Sequence, residues 1–189
     1  MRTSSHVRTK AALLHRVFEA DVRGWIDDAF CDRPPTNVLD ELVDIYGTLL
    51  AAVCAQPDLA LVYMRQVGFA DDDHERVDQA LDLVFGRTAA VIDRAKQRRD
   101  VRADANSHQL AYNLFALYFV EQHLWLSDSA TDPAEIDARL RPVFACHLLG
   151  YLRPGPALDR AKAAGTSKLM SGKGRIRALG EAGSHVRGP

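Results

Sequence analysis

A chain of 189 residues, 47% hydrophobic and 26% charged, has the size and balance of one globular domain, or one domain with a tail. Its longest near-apolar stretch, Leu114 to Val120, is far too short for a bilayer span, and the N-terminus carries no apolar signal segment, so no membrane partner and a cytoplasmic location are expected. The net charge of −1 conceals an asymmetry: from Arg153 onward stand eight Lys/Arg against two Asp/Glu, a net +6, which leaves −7 on the first 152 residues. That C-terminal part also holds seven of the twelve glycines. The composition therefore divides the chain into an acidic body and a basic tail, residues 153–189, expected to be flexible with at most a short-lived helical stretch near Ala157–Ala164.

Helical periodicity dominates, and no segment alternates as a strand would, so the expected fold class is all-α with six helices. The first helix is read from Thr9 to Phe30, with Leu13, Leu14, Val17, Phe18, Val22 and Trp25 or Ile26 as its apolar stripe; Pro34-Pro35 ends it. Thr36 is the expected N-cap of a second helix reaching about Ala55, with Asp40 and Glu41 near its positive end. Pro57 opens a third helix, Asp58 to Phe69. The fourth runs from about His74 to Arg99, with Val77, Leu81, Val84, Phe85, Thr88, Val91, Ile92 and Ala95 on one side. The fifth, Asn106 to Leu126, is apolar nearly all round between Leu110 and Val120 and so must be covered on more than one face. The sixth, Pro133 to Tyr151, ends at Gly150 and Pro154.

Chemistry-bearing patterns are sparse. Cys31, Cys54 and Cys146 form no CxxC pair, and Cys54 and Cys146 are expected as buried thiols. None of the seven histidines stands in HExxH; Glu121-Gln122-His123 has the wrong spacing for a carboxylate-bundle ligand pair, and Asp71 with His74 has no second pair beside it. No phosphate-binding loop or nucleophile elbow occurs, and Ser171-Gly172-Lys173-Gly174 follows no strand. No enzyme, cofactor or metal is expected. The basic residues Lys168, Lys173, Arg175, Arg177 and Arg187 have no interleaved aromatic for base stacking, and a solvated tail is the favoured reading over a nucleic-acid contact.

The stretch His6-Val7-Arg8-Thr9-Lys10-Ala11-Ala12-Leu13-Leu14 resembles the junction in TetR-family transcriptional regulators between the DNA-reading helix and the helix that leads to the effector domain. His6, Val7, Lys10, Leu13 and Leu14 match, and Ser4 stands where the family has an aromatic residue. Gln56-Pro57-Asp58-Leu59-Ala60 resembles the family's break before a short helix. Val101-Arg102-Ala103-Asp104-Ala105-Asn106 resembles its step into the last two helices, with Asp100 in place of the usual glycine. The resemblance spans residues 4–152. It implies residues 1–8 as a remnant of the DNA-binding head and 9–152 as an effector-binding and dimerisation domain.

Only Met1, Arg2 and Thr3 precede Ser4, so the helix-turn-helix is expected to be truncated. Operator binding is not expected from the chain as written; DNA is a partner only if a helix-turn-helix lies upstream. The resemblance further implies a homodimer built on the last two helices and a cavity for a small hydrophobic or aromatic ligand. Candidate pocket residues are Tyr46, Tyr63, Met64, Phe85, Tyr118, Gln122, His123 and Trp125. Candidate seam residues are Leu114, Phe115, Leu140, Val143, Phe144, His147, Leu148 and Tyr151. For any single pocket residue ordinary core packing is the favoured reading, whereas for the last two helices a dimer seam is favoured over filling of the protomer core; His147 beside Cys146 reads as a satisfied core histidine. Two other classes stay open: a small-molecule-binding helical protein with no role in transcription, and a metal-binding bundle.

Overall fold

The computed structural model describes residues 21–31, 37–57, 60, 74–127 and 135–171. Over these residues the protein is an all-α bundle. Its helices are α1 (21–29), α2 (Val38–Cys54), α3 (His74–Gln97), α4 (Ser107–Ser127), α5 (Ile136–Leu148) and α6 (Pro156–Ser171). The third helix of the sequence reading, residues 58–69, and the start of the first lie outside the described residues, apart from the buried Ala60.

Helix α2 is the centre of the bundle and touches α3, α4, α5 and α6. Its apolar residues recur at every third or fourth position, and Val38, Leu39, Leu42, Val43, Tyr46, Leu49 and Leu50 are all buried. The N-cap is Asn37 rather than Thr36: the Asn37 side chain accepts from the Asp40 backbone N–H at 3.1 Å and satisfies one of the open donors of the first turn. Asn106 does the same for α4, accepting from the Gln109 N–H at 3.0 Å.

Helix α3 ends at Gln97, two residues before the Arg99 expected from the sequence. Arg99 adopts the left-handed conformation (φ 67°), while the Asp100 N–H reaches back to the Ala95 carbonyl and the Arg99 N–H to that of Lys96. This is a Schellman termination, usually completed by glycine because a side chain is strained there. The left-handed position is thus Arg99, one residue before Asp100. The α3–α4 connector then clasps the α5–α6 connector: Val101 and Leu152 form an antiparallel bridge, flanked by Arg102 N–H to the Tyr151 carbonyl (2.9 Å) and Arg153 N–H to the Asp100 carbonyl (3.0 Å).

The segment expected to be flexible from residue 153 is a helix over Pro156–Ser171. Proline at the first helical position gives up only an N–H that would be unpaired anyway. Ala157 and Ala161 are buried and Ala164 half-buried, at i, i+4 and i+7. These small side chains let α6 lie close along α5 and lose almost no rotamer freedom on burial. The ordering is reinforced from α2: Asp40 accepts from Arg141 of α5 and from Arg160 of α6 (2.6 Å).

Candidate functional site

Tyr46 is the aromatic centre of the protomer. It is wholly buried, its hydroxyl lies 3.1 Å from Thr88 Oγ1, and its ring meets Tyr118 (centroids 5.2 Å) and, edge-on, Phe144 (5.3 Å). Burial holds the Tyr46 and Tyr118 phenols neutral, pushed well above the ordinary tyrosine value. From Tyr118 the ring contacts continue outward through Phe115 (5.8 Å) and Phe119 (6.1 Å, stacked) to His123 (5.0 Å). Phe85 of α3 meets Phe115 edge-on at 5.2 Å. One aromatic run therefore leads from the core to the surface of α4.

The candidate pocket residues fall into distinct environments. Tyr46, Tyr118, Gln122 and Trp125 are buried, Phe85 is half-buried and His123 is exposed. Tyr46, Phe85, Tyr118 and His123 belong to the aromatic run, whereas Trp125 lies with a different group of side chains. Tyr63 and Met64 lie outside the described residues.

The candidate seam residues divide similarly. Leu114, Leu140, Phe144 and Leu148 have no exposure in the single chain, because they face the protomer's own core. Phe115, Val143, His147 and Tyr151 are half-buried. Among the residues whose side chains are described, the large apolar ones that are exposed stand on α4: Tyr112 (57%), Phe119 (42%), Val120 (56%) and Leu124 (51%). Ala116 and His123 lie exposed among them, so this face carries no Lys, Arg, Asp or Glu. Sequence periodicity found that α4 is apolar all round; it did not identify which side the protomer covers.

Trp125 packs against a charged pair that sequence reasoning missed. The guanidinium of Arg139, at the start of α5, is buried, its Nε donates to Glu121 Oε2 at 3.3 Å, and its Cζ lies 5.1 Å from the Trp125 ring centroid. Glu121 and Trp125 are i and i+4 on α4 and so share a face. Cys54, at the C-terminal end of α2, lies near enough to feel the Arg139 charge, but burial dominates and pushes its thiol up to about 11. Cys54 is therefore a neutral, half-buried thiol at neutral pH. Cys146, expected to be buried, is exposed on the outer side of α5. His147 is half-buried with Nε2 lacking a hydrogen-bond partner, which departs from the satisfied histidine expected, and desolvation lowers its pKa.

Helix α1 is tied to α3 by one side chain. Arg87 donates to Asp27 at 2.7 Å, reaches the Ile26 carbonyl at 3.5 Å and lies 5.9 Å above the Phe30 ring. Ile26 and Ala29 bury the facing side of α1.

The described residues contain no group of three His, Cys, Asp or Glu able to hold a metal ion, and no helix long and apolar enough to cross a membrane. Fold and side chains thus define an all-α bundle with an aromatic centre, a buried ion pair and one uncharged apolar face. Comparison with family models, curated proteins and solved structures finds no match to this chain.

Proposed function

We propose that this protein is the ligand-sensing and dimerisation body of a TetR-type transcriptional regulator, acting in the cytoplasm as a homodimer. The observation that carries the reading is the exposed face of α4. Four large apolar side chains half in water are unfavourable for an isolated protomer, at roughly 25 cal/mol for each Å² of apolar surface that a partner would cover. A two-fold interface brings the same patch against itself, so any charge on it would oppose its own copy. A face without charge is suited to that self-pairing. The opening motif from His6 to Leu14 supports the regulatory role through its family resemblance, and Arg87 of α3 holds α1 on the body.

The test is a fusion. The chain is placed behind a helix-turn-helix head that holds its operator only as a dimer. The reading expects the fusion to silence a reporter and the Val120→Glu fusion, equally soluble, to leave it active. A soluble wild-type fusion that fails to silence the reporter would overturn it.

A further inference from the structure

Tyr112, Ala116, Val120 and Leu124 are all exposed on α4, each four residues after the last. Side chains at that spacing follow one another along one side of a helix, so they form a single row. The row is uneven. Tyr112 stands high at one end, its ring backed by Phe85 of α3 at 5.8 Å between centroids. Ala116 then leaves a gap before Val120, and Leu124 closes the other end. The midpoint of the row falls between Ala116 and Val120.

Two copies can lay such rows together in either sense. Parallel pairing sets each residue against itself, so Ala116 meets Ala116 between larger neighbours and a void remains. The two helix dipoles then also lie side by side in the same sense, which is unfavourable. Antiparallel pairing about the midpoint sets Val120 against the partner's Ala116 and Leu124 against the partner's Tyr112. Each gap is filled, every apolar side chain of the row meets an apolar one, and the dipoles oppose. An antiparallel axis at Ala116 itself would instead set Leu124 against the partner's His108, which is exposed and polar.

We propose that α4 pairs with a second copy of itself in antiparallel order, about a two-fold axis between Ala116 and Val120, with Val120 seated in the gap at the partner's Ala116. The occupant of the face is a second copy because the row carries no charge and is complementary to its own reverse. The inference rests on the dimerisation reading and supplies its orientation and register.

The exposed Cys31 and Cys146 are first replaced by serine. Ala116→Cys and Val120→Cys are then made separately in that background. Each protein, and an equimolar mixture left to exchange subunits, is oxidised with copper–phenanthroline and run on a non-reducing gel. The antiparallel order sets residue 116 of one copy beside residue 120 of the other. It offsets like positions by about 6 Å along the axis on top of an interaxial distance of about 8–10 Å, out of reach of a disulfide. The mixture is therefore expected to give at least about fivefold more linked dimer than either variant alone. Ala116→Cys linking by itself as fully as the mixture would show parallel pairing or an axis at Ala116, and overturns the inference. A mixture that links no more than its components overturns it as well. Sedimentation equilibrium of the serine background separates the two readings: a dimer without the mixed link contradicts the antiparallel order alone, and a monomer contradicts both.

Discussion

The hydroxyls of Tyr46 and Thr88 lie 3.1 Å apart with neither residue exposed, and they form the buried polar link between α2 and α3. Removing one partner leaves the other buried without its bond. Tyr46→Phe is expected to lower unfolding stability by about 1–2 kcal/mol, read as a shift in the urea midpoint at constant slope. Tyr46→Phe with Thr88→Val removes both polar groups and should recover most of that loss. A double variant as unstable as the two single changes added together would show that the hydroxyls act independently.

Arg99 occupies a conformation that glycine adopts without strain. Its side chain is exposed, so Arg99→Gly relieves backbone strain and removes little packing. A gain of about 0.5–1 kcal/mol is expected, net of the entropy that glycine adds to the unfolded chain. A thermal midpoint lower than wild type would contradict the Schellman assignment.

Asp40 joins three helices. Burial alone would raise its pKa, but hydrogen bonds from Arg141 and Asn37 and the charges of Arg141 and Arg160 outweigh it and hold the carboxyl below its ordinary value. A depressed carboxylate pKa contributes stability above the unfolded value near pH 4 and loses it as pH falls through the folded one. Asp40→Asn should therefore free α6 first. Amide exchange over residues 156–161 is expected to quicken at least about tenfold at neutral pH, while α3 and α4 exchange as before. Equal acceleration throughout would mean that Asp40 supports the whole bundle.

His147 gives the opposite pH sign from a histidine that gains a partner. Desolvation lowers its folded pKa, so below about pH 6.5 the unfolded chain binds a proton that the folded chain resists. Stability then falls as the medium is acidified. His147→Leu should have a flatter stability profile between pH 7 and 5 than wild type. Parallel profiles would place the acid sensitivity elsewhere.

Much of the helical frame is legible in the chain. The helix expected from His74 to Arg99 is found over His74–Gln97, and that from Asn106 to Leu126 over Ser107–Ser127, because polar caps bound long periodic segments. The helix over Pro156–Ser171 was read only as a short-lived stretch near Ala157–Ala164, because its buried stripe is alanine, which carries no large apolar signal. The pair of Glu121 and Arg139 was illegible for a different reason. Each reads as a polar residue flanking an apolar stripe, and only the approach of α5 to α4 brings residues 18 positions apart into contact. Arg139 immediately before the stripe residue Leu140 was the one available signal. The apolar surplus of α4 was legible; its exposed side was not, since that depends on where α3 and α5 lie.

Pairing of two copies through α4 is read from the mass of the protein at sedimentation equilibrium. Wild type is expected at twice the 20.9 kDa chain at tens of micromolar protein, and Val120→Glu at 20.9 kDa with its helical content unchanged. A wild-type protein that sediments at 20.9 kDa, or a Val120→Glu variant that stays paired, would contradict it.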